Sequence, residues 1–143
     1  MARINKKRLN LSTAQSKYLL KILGINNIED IDVIVITKLK ERMKSLTDSR
    51  QKNKKIYKIW DIVVCTILAD FAGIETWEDI PDFIEEKYDW LKSFLKLSGG
   101  IPCSKTFERV FSIIDHFELE NILNTFLFSI TFNLFSKRDI LLL

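Results

Sequence analysis

Hydrophobic positions recur along this chain at intervals of three and four residues and almost nowhere alternate, so the pattern predicts helices rather than strands. The most apolar stretch, Ile56 to Ala72, is broken only by Lys58, Asp61, Thr66 and Asp70 and closes on Gly73. At about 100° per residue Asp61 and Asp70 fall on opposite faces. The helix is therefore apolar nearly all round and predicted to be the central one. Asp61 sits in its first turn, where the helix dipole favours a negative charge; Asp70 sits in the last, where it does not. A structural ion pair or hydrogen bond is expected at Asp70 rather than catalysis, because no second acid stands at a defined spacing to it.

Around this helix the same reading places others. Ser12 and Gln15 stand in capping-box register for a short helix ending at Gly24. A second runs from about Ile28 to Leu46, with Glu29, Asp30 and Asp32 at its start and Lys38, Lys40, Arg42 and Lys44 towards its end, as the dipole prefers. Thr47 to Lys55 is a polar connector carrying Arg50, Lys52, Lys54 and Lys55. Thr76 to Leu97 mixes acids with aromatics, and Pro81 is expected to kink it or delay its start. Gly99-Gly100-Ile101-Pro102 ends that segment, and a new helix opens at Cys103 or Ser104 with Phe107, Val110, Phe111 and Ile114 as its buried stripe.

A last helix, from Asp115 with Glu118 completing a capping box, runs to about Ser136 without a charged residue from Asn121 onward. Such a face is expected to meet protein on more than one side. Ile140 to Leu143 reads as a buried strand lacking its sheet. The expected fold is all-α: a compact bundle of about five to six helices, with a helix-turn-helix-like corner and a short orphan strand at the C-terminus.

Composition narrows the chemistry. A chain of 143 residues, 47% hydrophobic, with ten phenylalanines and three tryptophans, supports one domain with a substantial core. Cys65, Cys103 and the single histidine, His116, have no ligand spacing, so neither a disulfide framework nor a zinc site is expected, and no cofactor is implied. No apolar run reaches the roughly 20 uncharged residues of a membrane span, and the basic start lacks a signal-type apolar segment. A cytoplasmic protein without a membrane partner is expected.

Charge is strongly divided. Residues 1–58 hold 15 lysines and arginines against five acids, and residues 59–143 hold seven against 14. A basic half points to a polyanionic partner, although a solvated basic arm over residues 1–11 with ordinary solubility duties fits equally well. The acids Glu78, Asp79, Asp82, Glu85, Glu86 and Asp89 alternate with core aromatics, which fits a solvated face better than a metal site. After the Gly-Gly-Ile-Pro turn, Ser104, Lys105, Thr106 and Arg109 are residue types that a recognition helix presents near its start. On outline alone a plain structural corner is the stronger reading, and Arg109 has Glu108 and the acidic segment as competing ion-pair partners.

One constellation is more specific. Asp48-Ser49-Arg50, Ala69 with Gly73, Trp77-Glu78-Asp79-Ile80, Trp90-Leu91 and Gly100 to Phe111 follow one another in an order that resembles the N-terminal associated domain of H-repeat-associated DDE transposases. In that family the matching places read Asp-Pro-Arg, Ala-x-x-x-Gly, Trp-Glu-Asp-Ile, Trp-Leu and Gly-Ile-Pro-Ser-His-Asp-Thr-Phe-x-Arg-Val-Phe. Here Ser49 replaces a proline, and Cys103-Ser104-Lys105 replaces Ser-His-Asp, exchanging an acid for a base. The resemblance covers roughly Asp48 to Leu143 and implies the associated helical domain over 48–136 and the start of a catalytic domain over 137–143; it leaves residues 1–47, read as a basic arm and helices, unassigned.

It implies further that Asp139 to Leu143 begins the strand that leads to the first metal-binding aspartate, so the catalytic carboxylates would lie beyond Leu143 and the chain would not itself be an enzyme. The expected function is then a DNA-binding domain of an insertion-sequence transposase, truncated before its catalytic domain and engaging transposon ends. Lys38, Lys40, Arg42, Lys44, Arg50, Lys52, Lys54, Lys55, Ser104, Lys105, Thr106 and Arg109 are the candidate DNA contacts. The alternative is an interaction module that docks a catalytic domain, or a second copy, through the last helix and has no DNA specificity of its own.

Overall fold

The structure, a computed structural model, describes residues 27–50 and 56–128. The expected basic arm, the helix from Ser12, the connector lysines Lys52, Lys54 and Lys55, the later part of the last helix and the terminal strand lie outside the described residues. Within them the chain is helical, with no strand, as the spacing of apolar positions predicts.

The chain first makes a 3₁₀ turn, η1 (Ile28–Asp30), then α1 (Val33–Met43). A single helix from Ile28 is therefore corrected to two pieces. Asn27 Oδ1 accepts the Glu29 N–H at 3.1 Å and Asp32 Oδ1 accepts the Ile34 N–H at 2.9 Å, so two caps five residues apart compete for the backbone and Ile31 between them is extended. Ile36, Leu39 and Met43 form the buried stripe of α1.

Next comes α2 (Ile59–Phe71), where every residue from Ile59 to Asp70 except Trp60 is buried. It packs against α1 on one side and against α3 and α5, defined below, on others, which makes it the central helix. Gly73, at φ +94°, ends it: the Ile74 N–H reaches Ala69 O and the Gly73 N–H reaches Asp70 O, each at 3.0 Å. This is the paired termination that a left-handed glycine permits.

The acidic segment is not one helix but three short pieces: η2 (Trp77–Asp79), α3 (Ile80–Glu86), whose first turn holds Pro81, and α4 (Tyr88–Leu91). Pro81 delays the start as its missing N–H requires. The further break at Lys87, φ −103° and ψ 18°, was not legible beforehand. A straight helix over residues 76–97 would run about 33 Å, whereas α2 offers only about 20 Å to cover it. By bending, the chain brings Leu91, Phe94, Leu95 and Leu97 back to the core.

After the glycine corner, α5 (Ser104–Ile113) buries Phe107, Val110 and Phe111, with Ile114 just beyond, as predicted. Trp77 lies against Phe111, ring centroids 5.4 Å apart. A final helix, α6, covers residues 116–128 and buries Leu119, Leu123 and Phe126. Asp115 Oδ1 caps it by accepting the Phe117 and Glu118 N–H groups. Glu118 does not complete the expected capping box. Its carboxylate instead accepts the Thr47 N–H at 2.7 Å and tethers the chain beyond α1 to the start of α6. A long-range donor with no other partner outcompetes the local one, and sequence spacing alone cannot show it.

Candidate nucleic-acid interface

Two helices begin at one end of the bundle. Tyr57, two residues before α2, donates its phenolic O–H to Gly100 O at 3.1 Å, just before α5. Burial, and then the neighbouring Cys103, push the Tyr57 phenol above its ordinary value, so the group stays a donor. Gly100 takes φ +88°, and Gly99 lies so close to the start of α2 that an added Cβ would meet Ile56 Cγ2 at 2.6 Å and Tyr57 Oη at 3.0 Å. At the far end Trp77, beyond the end of α2, touches Phe111 in the last turn of α5. The two helices thus run in the same sense, with both positive dipole ends at the corner.

On α5 the sequence candidates separate. Ser104 and Thr106 are half-buried, and Thr106 Oγ1 lies 3.4 Å from the Cys103 thiol. That hydroxyl, with backbone N–H groups of the opening turn, holds the exposed Cys103 thiol below its ordinary value. Lys105 and Arg109, one helical turn apart, share an exposed face opposite the Phe107–Val110 stripe. Among the described residues Arg109 pairs neither with Glu108 nor with the acids of α3 and α4, so both cations point to solvent uncommitted.

The cations before α2 do not form one cluster. Lys38 and Arg42 make a row on one flank of the α1 stripe and Lys40 and Lys44 a row on the other. Lys40 is structural: its Nζ donates to Phe94 O at 2.9 Å and lies 3.4 Å from Asp61 Oδ1. Arg50 is structural as well, since its guanidinium holds the Asp48 carboxylate through two 2.9 Å bonds and donates to Tyr57 O at 2.8 Å. Ser49 in place of a proline leaves that Asp48–Arg50 turn intact. Lys44 bonds Glu41 at 3.0 Å and also lies over the ring of Trp60, 5.6 Å from its centroid; Lys58 lies 5.8 Å from the same ring.

Trp60 was not among the residues that sequence reasoning singled out, and Lys58 entered only as the end of the basic stretch from Lys38. The signal was present but faint: Trp60 is the one amphipathic aromatic in an otherwise buried helix. Its partnership with Lys44 spans two elements and needs the fold. Of the acids, Glu29 pairs with Lys87 and Asp89 with Lys92, while Asp61 is buried beside Lys40. Among the described residues no group of three or more His, Cys, Asp or Glu is placed to hold a metal ion. Nor, among them, is any helix long and apolar enough to cross a membrane.

Residues 40–127, which take in the end of α1, the corner and most of α6, match the family profile described as DDE_Tnp_1-associated. The chain is 42% identical over 77 residues to "Inactive transposase YbfQ" of Escherichia coli K12, covering 54% of this chain and 92% of that protein. It is 37% identical over 87 residues to "Putative transposase YncI" of Escherichia coli O157:H7, covering 61% of this chain, and 42% identical over 79 residues to "H repeat-associated putative transposase YbfD" of Escherichia coli K12, covering 55%. The aligned part spans only 22% and 31% of the length of those last two relatives. No solved structure matches.

Proposed function

This chain belongs to the DDE_Tnp_1-associated family, and from that premise we propose that it is the DNA-binding part of a transposase of the insertion-sequence kind, engaging transposon ends. The observation that carries the reading is the uncommitted Lys105–Arg109 row on the exposed face of α5, immediately after the tight corner. Arginine placed so can make a bidentate contact to a guanine edge, worth about 1–3 kcal/mol of discrimination. Lys38, Arg42 and Lys44, with Lys52, Lys54 and Lys55 of the connector, then supply sequence-independent phosphate contacts. Lys40 and Arg50 leave that set for structural roles, Thr106 is engaged by the Cys103 thiol, and Ser104 stays with Lys105 and Arg109 as a candidate contact. Phosphoryl-transfer chemistry is not assigned to these residues, because among the described residues no group of three or more His, Cys, Asp or Glu is placed to hold a metal ion.

The test titrates Arg109→Ala and a Lys52/Lys54/Lys55 triple alanine variant against terminal-repeat and random duplexes at two salt concentrations. Arg109→Ala is expected to lose preference for the terminal repeat while keeping random-DNA affinity, and the triple variant to lose salt dependence. An equal fall on both duplexes for Arg109→Ala overturns the recognition-helix assignment.

A second reading, an interaction module, has its own observation. Phe117 and Phe128 are 82% and 72% exposed and stand eleven residues, about three turns, apart on one side of α6. Self-association lost in Phe117→Ser, with DNA affinity absent throughout, would favour it.

A further inference from the structure

Trp60 is the exception in α2. Its neighbours from Ile59 to Asp70 are buried, yet the indole is only half-buried, and two ammonium groups from different elements lie over it: Lys44 from the end of α1 and Lys58 from the cap of α2. Like charges brought to one ring repel, and the ring's negative face offsets only part of that, about 0.5–1 kcal/mol for each exposed contact. The arrangement brings both cations to one ring at the surface. Neither is strongly committed elsewhere. The Lys44–Glu41 bond joins side chains 42% and 60% exposed, the class of pair worth about 0–1 kcal/mol. Lys58 makes no ion pair among the described residues, and the nearest acid of its own helix, Asp61, is fully buried with Lys40 as its partner.

We infer that Lys44, Trp60 and Lys58 form a second, sequence-independent contact, in which the two lysines, held by the indole, straddle a nucleic-acid phosphate backbone. This rests on the DNA-binding reading above and deepens it: α5 would read bases while this ring-held pair grips phosphates. Two neighbouring cations suit the closely spaced charges of an anionic polymer, and binding releases the counterions condensed on it. An acidic protein surface is the competing partner. A stable protein interface needs a well-packed apolar centre; beside the pair in the chain stands one exposed large apolar side chain, Ile56, while Val33 and Ile34 lie at the opposite end of α1 from Lys44, and Ile113, Phe117 and Phe128 belong to α5 and α6.

The test measures affinity of the full 143-residue chain for a random duplex by fluorescence anisotropy across a salt series. It compares Lys44→Ala/Lys58→Ala, Trp60→Leu and Trp60→Phe with the native sequence, each checked for an unchanged melting temperature. The double variant is expected to reduce the log–log salt slope by about 1.8, two contacts at about 0.9 each. Trp60→Leu, which frees the lysines without removing charge, is expected to weaken binding several-fold, and Trp60→Phe to restore most of it. Trp60 acts here as a positioning residue. Strong binding by the native chain with an unchanged slope in the double variant overturns this inference and leaves the DNA-binding reading standing. No binding by the native chain at any salt overturns both. Displacement of the native chain from DNA by polyglutamate, lost in the double variant while its DNA slope is unchanged, assigns the pair to an acidic protein partner instead and overturns the proposal.

Discussion

The Nζ of Lys40 lies 3.4 Å from Oδ1 of Asp61, and Asp61 is completely buried. The same ammonium donates to Phe94 O at 2.9 Å, so one side chain joins α1, the start of α2 and the turn after α4. Neither Asp61 oxygen accepts a well-formed hydrogen bond from another side chain, which makes the nearby charge its main compensation. Removing Lys40 strands a buried carboxylate, an event that costs about 3–5 kcal/mol when one partner of a buried pair is deleted. Lys40→Ala is therefore expected to lower the urea midpoint severely, and the loss should shrink at acid pH, where Asp61 becomes neutral. A change of under about 1 kcal/mol, the value of an exposed pair, would contradict the structural role given to Lys40.

Asp61 itself supplies a pH test. Burial raises its carboxyl above the ordinary 3.8, and Lys40, with Lys44 further off and a backbone contribution from Lys96, only partly offsets this. Between the unfolded and folded values the native state binds more protons, so the contribution of this group to stability falls as pH rises through that interval. It is fullest below 3.8 and lost once pH exceeds the folded value. Asp61→Asn cannot titrate. The difference in unfolding free energy, variant minus native, is expected to grow as pH rises from about 4, read from denaturant curves at a series of pH values. A difference independent of pH would mean that the carboxyl titrates alike in both states.

How far this was legible in the sequence depended on the range of each interaction. The all-round apolar run of α2, its end at Gly73 and the Phe107–Val110–Phe111–Ile114 stripe were readable, because a helix face and a left-handed glycine are set by neighbours within a turn. The break at Lys87 was not, since it answers to the length of α2 rather than to local propensity. Glu118 looked like half of a capping box and serves Thr47 instead. At the candidate interface the sequence offered residue types but not their commitments: Lys40 and Arg50 resemble Lys44 in the string, and only the fold shows the first two spent on Asp61, Phe94, Asp48 and Tyr57.

The corner is held by contacts that can be removed separately. Tyr57→Phe deletes the bond to Gly100 O and is expected to cost about 1 kcal/mol, the net worth of a typical hydrogen bond. Gly99→Ala brings a methyl within 2.6 Å of Ile56 Cγ2 and 3.0 Å of the Tyr57 hydroxyl; exposed Ile56 can turn aside, whereas the buried Tyr57 phenol is held by its bond to Gly100 O. It is expected to cost more than Tyr57→Phe, and the double variant less than the sum, because both act on one contact. Thermal melts of the three proteins check this. Strict additivity would show that Gly99 is needed for some reason other than the Tyr57 contact.

Cys103 reports on the same corner by its chemistry. Its exposed thiol is held below its ordinary value, first by the Thr106 hydroxyl and then by backbone N–H groups, whereas burial pushes the Cys65 thiol far up. Thiolate is the nucleophile, so iodoacetamide at neutral pH is expected to alkylate Cys103 and spare Cys65 in the folded protein. Thr106→Val removes the hydroxyl and should slow Cys103 alkylation several-fold while leaving the fold unchanged. If α5 meets DNA at its start, a saturating terminal-repeat duplex should protect Cys103, and protection should weaken in Arg109→Ala. Mass spectrometry of the alkylated peptides reads each arm. Alkylation of Cys103 at the same rate with and without bound DNA would place the nucleic acid elsewhere on the molecule and remove α5 from the interface.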